Sequence, residues 1–406
     1  MGITVRKYGG SSVATPERIK KVAEQIVRAK KTEHQIVVVV SALGDTTDDL
    51  IELAHQITTL PDEREMDMLL STGEQISCAL MSIALTSMGC PAVSLNAQQV
   101  EILTDKAYTK AKIQKVSTER ILKELKSGKI VVVAGFQGIT EEGDITTLGR
   151  GGSDTTAVAL AAVLDADVCE IFTDVEGVYT ADPRIVPDAR KIELISYEEM
   201  LELASAGAKV LQSRSVEMAK KFGVKIHVRS SFNDSPGTIV CEEVADMEEI
   251  LVSGVTLNLD EAKITILDVP DKPGMAAKIF TALSDKNTNV DMIVQSAPSN
   301  ETNEISFTVS KSDLTRAVKI VEEVAKQIGA KEITSDDNVA KVSIVGVGMR
   351  SHSGVAAKMF SVLASKGINL DMISTSEIKI SCIIKKDRAE DAVKLLHEAF
   401  NLSQKR

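Results

Sequence analysis

The chain has no tryptophan, and phenylalanine and tyrosine together supply only 3% of its residues. Nucleic-acid binding usually needs a basic stripe, often with stacking rings. Neither is present: no dense Lys/Arg block occurs, and the formal net charge is −11. Cysteine is sparse. Cys78, Cys90, Cys169, Cys241 and Cys382 are scattered, odd in number and without a C-x-x-C pair. That suits a reducing cytoplasm and argues against structural zinc or disulfides. His34, His55, His227, His352 and His397 form no ligand spacing, so no resident metal site is expected. No run of about 18 apolar residues occurs, and the first residues lack a basic segment followed by an apolar one. Neither a membrane span nor a secretory signal is expected. The P-loop pattern G-x-x-x-x-G-K-[ST] and the H-R-D and D-F-G motifs are also missing. An acidic enzyme in solution is what these absences leave. Its acidity does not forbid an anionic substrate, because a focused local field decides that.

What is present is organised in two styles. At 406 residues the chain has room for two or three domains with real cores. Over the first 240 residues or so, short Val/Ile-rich runs alternate with longer helical patterns. The strand expectations are Thr4–Lys7, Ile36–Ser41, Ala92–Leu95, Ile130–Gly135, Val168–Thr173 and Lys225–Val228. Between them lie expected helices at Pro16–Ala29, Glu74–Ser87, Ser117–Lys126, Asp154–Leu164, Tyr197–Ser205 and Ser213–Phe222. Strands that are apolar throughout imply burial on both faces, as in a parallel sheet sandwiched by helices. After Val240 a repeat appears. Gly274, Ala276, Ala277, Lys278 and Phe280 match Gly354, Ala356, Ala357, Lys358 and Phe360 at one constant spacing. At that spacing Asn289, Asp291, Met292 and Ile293 match Asn369, Asp371, Met372 and Ile373. Each copy fits a small ferredoxin-like βαββαβ module.

The stretch with most chemical content is LGRGGSDTTAVALA, Leu148–Ala161. Gly149, Gly151 and Gly152 surround Arg150, and Ser153, Asp154, Thr155 and Thr156 open an apolar helix. Glycines allow close approach of N–H groups to an anion, and a helix N-terminus offers unpaired donors. A tight turn with Ser153 or Asp154 as N-cap explains the same letters. KYGGSS places Lys7, Gly9, Gly10 and Ser11 at a strand's C-terminal end, the ligand edge of open α/β sheets; a solvated lysine before a flexible turn is the alternative. In VVVVSALGDTT, Ser41, Gly44 and Thr47 follow a strand to that edge, or form a turn chosen for backbone geometry. TGEQ sets Gly73 and Glu74 at an expected helix start, where Glu74 either complements the dipole or holds a ligand cation. TDVEGVYTADPR carries Thr173, Asp174, Tyr179, Asp182 and Arg184, with Lys209 further on in GAKVL; a Gly/Pro turn accounts for the DPR part alone. Gly149-x-Gly151-x-x-Asp154 fails the dinucleotide fingerprint at its last glycine, which gives nicotinamide binding little support.

Taken in order, KYGGSS, VSALGDTTDDL, LSTGEQ, AGFQG, TTLGRGGSDTTA and FTDVEGVYTADPR resemble an aspartate kinase, and the duplicated modules resemble ACT domains. The resemblance covers nearly the whole chain. Carbamate, acetylglutamate and uridylate kinases share parts of the glycine loops, not the whole set. GAKVLQSRSVE, DKPGMAAKIF and ISTSEIKIS most resemble monofunctional bacterial enzymes, and no homoserine dehydrogenase is expected to follow. The resemblance implies an amino-acid-kinase-type αβα sandwich with a mainly parallel sheet over residues 1–245. Tandem ferredoxin-like ACT domains are then expected at 262–336 and 342–406.

The same resemblance implies transfer of the ATP γ-phosphoryl group to the side-chain carboxylate of L-aspartate, with Mg²⁺ carried mainly by the nucleotide phosphates. This is the first step toward lysine, threonine and methionine. Lys7 and Asp154 would be catalytic. Ser41, Thr47, Glu74, Arg150, Gly152 and Ser153 would bind aspartate. Lys7, Gly9, Gly10, Ser11, Thr173, Asp174, Tyr179, Asp182, Arg184 and Lys209 would bind the nucleotide. Effector contacts would come from Asp271, Lys272, Pro273, Gly274, Met275, Ala276, Asn289, Val290, Asp291 and Gln295 in the first module. In the second they would come from Val355, Ala356, Asn369, Leu370, Thr375 and Ser376. Lysine and threonine are the implied effectors, and homo-oligomers form through the ACT domains. Met247 would suit the start of a separately translated regulatory subunit. Two rival readings stand beside this one: a kinase for another amino acid such as acetylglutamate, and a catalytically dead amino-acid sensor. Lys7, Glu74, Arg150 and Asp154 are all retained, which speaks against the sensor.

Overall fold

The structure is a computed structural model that describes residues 2–32, 35–208, 210–242, 251–298, 301–350 and 352–404. Lys209 and Met247 lie outside the described residues. Two compact units form. The first comprises Met1–Val178, Lys191–Ala204 and Lys209–Ala245; the second comprises Tyr179–Arg190, Ser205–Ala208 and Asp246–Arg406.

In the first unit Ile3–Tyr8 is a central strand, parallel to Gln35–Val40 on one side and to Val168–Thr173 on the other. Ile130–Ala134 and Ala92–Leu95 extend the sheet beyond the first of these, also in parallel. Beyond the second, Ile226–Ser230 is parallel, Thr238–Cys241 antiparallel, and Leu194–Ser196 closes the order. All six expected strands form, with ends shifted by a residue or two. Their apolar runs are buried from Val37 to Val40 and from Ile130 to Ala134, as two covered faces require.

The helices hold two corrections. The helix carrying Glu74 begins eleven residues earlier than the expected start at Glu74, at Glu63, where Asp62 accepts hydrogen bonds from the Arg64 and Glu65 amides. Glu74 is therefore a mid-helix residue and has no role at a helix dipole. Gly73 fits there because the helix runs against the loop after the second strand. A Cβ at that position would stand 2.8 Å from the Ala42 Cβ. Thr46–Ile57, read from sequence as the tail of a turn, is a helix. A small four-stranded sheet, ordered Ile113–Val116, Ile102–Thr104, Gln137–Ile139, Ile145–Thr147, was also not anticipated. Its strands are three or four residues long, too short to show a period of two.

The second unit has one six-stranded antiparallel sheet: Ile293–Gln295, Thr302–Val309, Gly254–Pro270, Glu332–Val345, Lys379–Lys385, Met372–Thr375. The repeat is visible as matched helices, Met275–Asp285 and Val355–Ser365, each capped by a glycine. The modules are not simply consecutive. Gly254–Asn258 pairs with Lys341–Val345, while Glu261–Leu267 pairs with Val339–Glu332. Residues before the first module thus complete the sheet of the second, and Val252 and Val255 pack in its core. This strand precedes the repeat in sequence.

Glu261 and Lys341 occupy the same position in the two copies and face each other where the long strands cross. Their side chains are 2.8 Å apart and buried, and Asp291 also bonds Lys341. Burial raises the Glu261 pKa. For Lys341 burial acts downward, but Glu261 and Asp291 hold it above its ordinary value. The segment Tyr179–Arg190 joins this unit through Ala181 and Val186, which share the second module's core with Val393 and Leu396. Thr180 Oγ1 lies 2.9 Å from His397 Nε2, and burial lowers the His397 pKa. Breaking one side of a buried pair costs about 3–5 kcal/mol, because the other charge stays buried. Lys341→Ala should therefore lower unfolding free energy in urea by about that amount, while Glu261→Met/Lys341→Met loses clearly less. Equal losses in both variants would contradict the pairing.

Candidate active site

The site lies at the C-terminal ends of the parallel strands of the first unit. Here the ladder runs on past the strands into the loops. Gly9 N donates to Phe172 O, Ser41 N to Tyr8 O, Gly135 N to Val40 O and Ser231 N to Thr173 O. Four loops are thus stitched side by side at one edge, where ligands bind in open α/β sheets.

Lys7 is the next-to-last residue of the central strand, and its ammonium meets the Asp154 carboxylate at 2.6 Å. Both are nearly buried, at 9% and 7% exposure. Asp154 stands in the first turn of Gly152–Val163, whose cap, Gly151, has φ 73°. That left-handed conformation is open to glycine at no steric cost. The helix is buried from Gly152 to Ala161, so its first-turn N–H groups are held at a dry edge. Beside it, Gly9 leads into the single turn Gly10–Ser12, and Ser12 Oγ meets Ser231 Oγ at 2.5 Å.

Glu74 approaches from the helix Glu63–Ser87. One carboxylate oxygen accepts the Ala42 amide at 3.0 Å; the other is buried without a hydrogen-bond partner. Burial raises the Glu74 pKa to about 7, against the opposing pull of the Ala42 amide and the Lys7 charge. An acceptor held unpartnered in a buried place is costly, and a ligand cation would relieve that cost. Ser77, one turn on, donates to Ser41 O at 2.7 Å and ties this helix to the same loop.

Lys7 reaches this edge from a strand and Glu74 from the middle of a helix. Gly9, Gly10, Ser11 and Ser41 come from its loops and short turn, and Gly152, Ser153 and Asp154 from a helix start; Thr47 lies in the first turn of Thr46–Ile57. Arg150 is exposed on the turn between Gly149 and Gly151. Thr173 and Asp174 end the strand at this edge, the Thr173 hydroxyl donating to Asp174 at 3.0 Å. Tyr179, Asp182 and Arg184 belong to the second unit, where Asp182 and Arg184 pair at 2.7 Å.

In the modules, Asp271, Lys272, Pro273, Asn289, Asp291, Gln295, Asn369, Thr375 and Ser376 are largely exposed. Met275, Ala276, Val290, Ala356 and Leu370 pack against their module cores, and Val355 is buried in its core. Of these, only Val355 is buried; the other five remain partly exposed.

Two supporting residues escaped the sequence reading. Asp67 is fully buried and accepts the Thr109 amide, the Thr147 amide at 2.8 Å and the Thr147 hydroxyl at 2.5 Å. It fixes the strand that leads into Leu148–Gly151. A carboxylate between Met66 and Met68 in an apolar helix was the available signal. Arg214 donates to Leu148 O and Ala111 O, both at 2.7 Å, and pins the same turn from behind.

Residues 2–230 match the Amino acid kinase family, and residues 267–324 and 342–400 match an ACT domain. The chain is 53% identical over 404 residues to an aspartokinase of Pseudomonas aeruginosa, covering 99% of this chain and 98% of that one. It also resembles the crystal structure of E. coli aspartokinase III in complex with aspartate and ADP, with TM-score 0.84 and 25% identity over 98% of this chain and 99% of that one. The same enzyme in complex with lysine and aspartate matches with TM-score 0.74 and 25% identity, over 99% of this chain and all of that one. The chain belongs to the aspartokinases, kinases of the amino acid kinase family that carry ACT domains.

Proposed function

We propose that the chain transfers the γ-phosphoryl group of ATP to the side-chain carboxylate of L-aspartate, giving 4-phospho-L-aspartate and ADP. The observation that carries this reading is the buried Lys7–Asp154 pair beside the half-satisfied carboxylate of Glu74. An aspartate carboxylate oxygen forms the new bond to phosphorus, and the bond from phosphorus to the β,γ-bridging oxygen breaks toward ADP. The nucleophile is already ionised near neutral pH, so no base is required. Catalysis then rests on positioning and charge.

Lys7 neutralises the transferring oxygens, and Asp154 aims its ammonium. Gly9, Gly10 and Ser11 cradle the phosphates. Glu74 takes the α-ammonium of aspartate with Ser41 and Thr47, and Arg150 clamps a carboxylate beside Gly152 and Ser153. Thr173, Asp174, Tyr179, Asp182, Arg184 and Lys209 serve the nucleotide. Among the described residues no cluster of three or more His, Cys, Asp or Glu could hold a metal ion. Mg²⁺ would arrive on the phosphates with its own waters, and Asp154 would meet it through water. Residues 1–245 would form the catalytic part, and the modules at 262–336 and 342–406 the regulatory one. The modules would bind lysine and threonine where two of them meet across a homo-oligomer. The E. coli relative seen with lysine supports an amino-acid effector.

Lys7→Ala should lower kcat about 10²–10³-fold with little change in the aspartate KM, whereas Arg150→Ala should chiefly raise that KM. Near-normal turnover in the first, or unchanged aspartate saturation in the second, removes the assigned role. Because the Glu74 pKa is raised to about 7, its charge is present above that pH and lost below it. The kcat/KM for aspartate should fall as pH drops through about 7, and Glu74→Gln should flatten that limb; a profile of unchanged shape would exclude Glu74. In a coupled ADP-release assay, lysine and threonine together should inhibit more than either alone. A coupling of about 1–3 kcal/mol suffices. Full rate with both present would refute the effector assignment.

A further inference from the structure

The helix Pro16–Ala29 follows directly on the turn Gly10–Ser12 and reaches back to it. Arg18, in the first turn of that helix, donates from its Nη1 to the Ser11 carbonyl at 2.6 Å. The same guanidinium lies over the Phe232 ring, 5.3 Å from its centroid. Both side chains are exposed, Phe232 at 52%. Phe232 follows the strand Ile226–Ser230, at the C-terminal edge of the sheet. Its neighbour Ser231 belongs to that edge too: the Ser231 amide donates to Thr173 O and its hydroxyl meets that of Ser12. Gln25, further along the same helix, donates to Ser231 O at 3.1 Å. One helix thus holds two neighbouring loops. Its own inner face is fixed, because Ile19, Val22, Ala23 and Ile26 are buried in the core. From the loop after the second strand, Gly44 N donates to Gly10 O at 3.1 Å and restrains the turn again.

We propose that Arg18 and Phe232 together position the Gly9–Ser11 turn for the ATP phosphates without touching the nucleotide themselves. This role rests on that turn being the phosphate cradle of the proposed function, and it supplies what keeps the cradle in shape. Backbone N–H groups bind an anion well when they are fixed beforehand, since ordering a loop on binding costs affinity. Gly9 and Gly10 give the turn the freedom to approach a phosphate closely, but glycine also has the most conformational freedom to lose. Arg18 restrains the chain at the residue just after them. A single hydrogen bond at the surface competes with water, and an arginine side chain has many rotamers. The flat face of Phe232 removes much of that freedom, because a guanidinium stacked on a ring keeps its edge N–H groups free to donate. A lysine would bring the same charge with neither the flat face nor the fixed fork.

Steady-state kinetics of the full chain, with ATP varied at saturating aspartate, read this restraint. Arg18→Ala should raise the ATP KM about tenfold, the scale of one hydrogen bond from a charged donor, with kcat and the aspartate KM near their wild-type values. Phe232→Ala should do the same. The double variant should do no more than either, because both remove one shared restraint. Arg18→Lys should behave like Arg18→Ala. Circular dichroism checks that each variant folds, and Arg18→Gln or Phe232→Leu stands in for an alanine variant that does not. An ATP KM unchanged by Arg18→Ala or by Phe232→Ala overturns the proposal. So do additive losses, which mean that each side chain meets the nucleotide separately, and a wild-type ATP KM in Arg18→Lys, which means that charge alone suffices. Gly10→Ala separates this restraint from the cradle it acts on. A Cβ there would stand 3.0 Å from both Ala42 O and Gly44 O, so the turn must shift. An ATP KM unchanged by Gly10→Ala removes the cradle itself; one raised by Gly10→Ala and not by Arg18→Ala removes the role of Arg18 and Phe232 alone.

Discussion

The kinase-family half of this protein is organised around one ion pair placed where the backbone also points its donors. Lys7 ends a central parallel strand, and Asp154 begins a buried helix. Each partner offsets the cost of burying the other's charge, which for an unpaired ion is several kcal/mol. Together they hold an ammonium group among glycine loops and a helix N-terminus, ready for an anion. The parallel sheet makes this possible, since its strands deliver every loop to the same edge. Asp67 and Arg214 then fix the turn around Arg150 from the side away from that edge. They touch no part of the edge themselves and act through the backbone they hold.

Glu74 illustrates how packing sets chemistry. The helix bearing it approaches the Ala42 loop closely enough that only glycine fits at position 73. That approach buries the carboxylate, lifts its pKa and leaves one oxygen without a partner. The second unit uses the same physics for a different end. There Glu261 and Lys341, equivalent by duplication and opposite in charge, meet at the crossing of two long strands. A like-charged pair at that position would repel, so the opposite charges of the two copies suit their meeting there.

Much of this was legible in the sequence, for identifiable reasons. Apolar strands such as Val37–Val40 announce burial on both faces, and glycines next to Lys7 and Arg150 announce close backbone approach. The repeat disclosed both modules. What stayed hidden was long-range or weakly patterned. The start of the Glu63 helix is polar and therefore silent to periodicity. The strand Gly254–Asn258 serves a module that begins far downstream, and nothing local says so. Tyr179–Arg190 reads as a loop of the first unit, but its Ala181 and Val186 fill the core of the second. Arg214 bonds only to backbone carbonyls, which carry no sequence signature, and Asp67 showed itself only as a lone carboxylate between two methionines.

In the proposed function, the edge built around Lys7, Glu74 and Asp154 makes an acyl phosphate from a dicarboxylic amino acid. Trapping the product with hydroxylamine tests it most directly, because acyl phosphates are converted to stable hydroxamates. With ATP and L-aspartate the protein should yield the side-chain hydroxamate of aspartate in step with ADP, and acetylglutamate should yield none. ADP released without hydroxamate, or hydroxamate formed from acetylglutamate in place of aspartate, would contradict it.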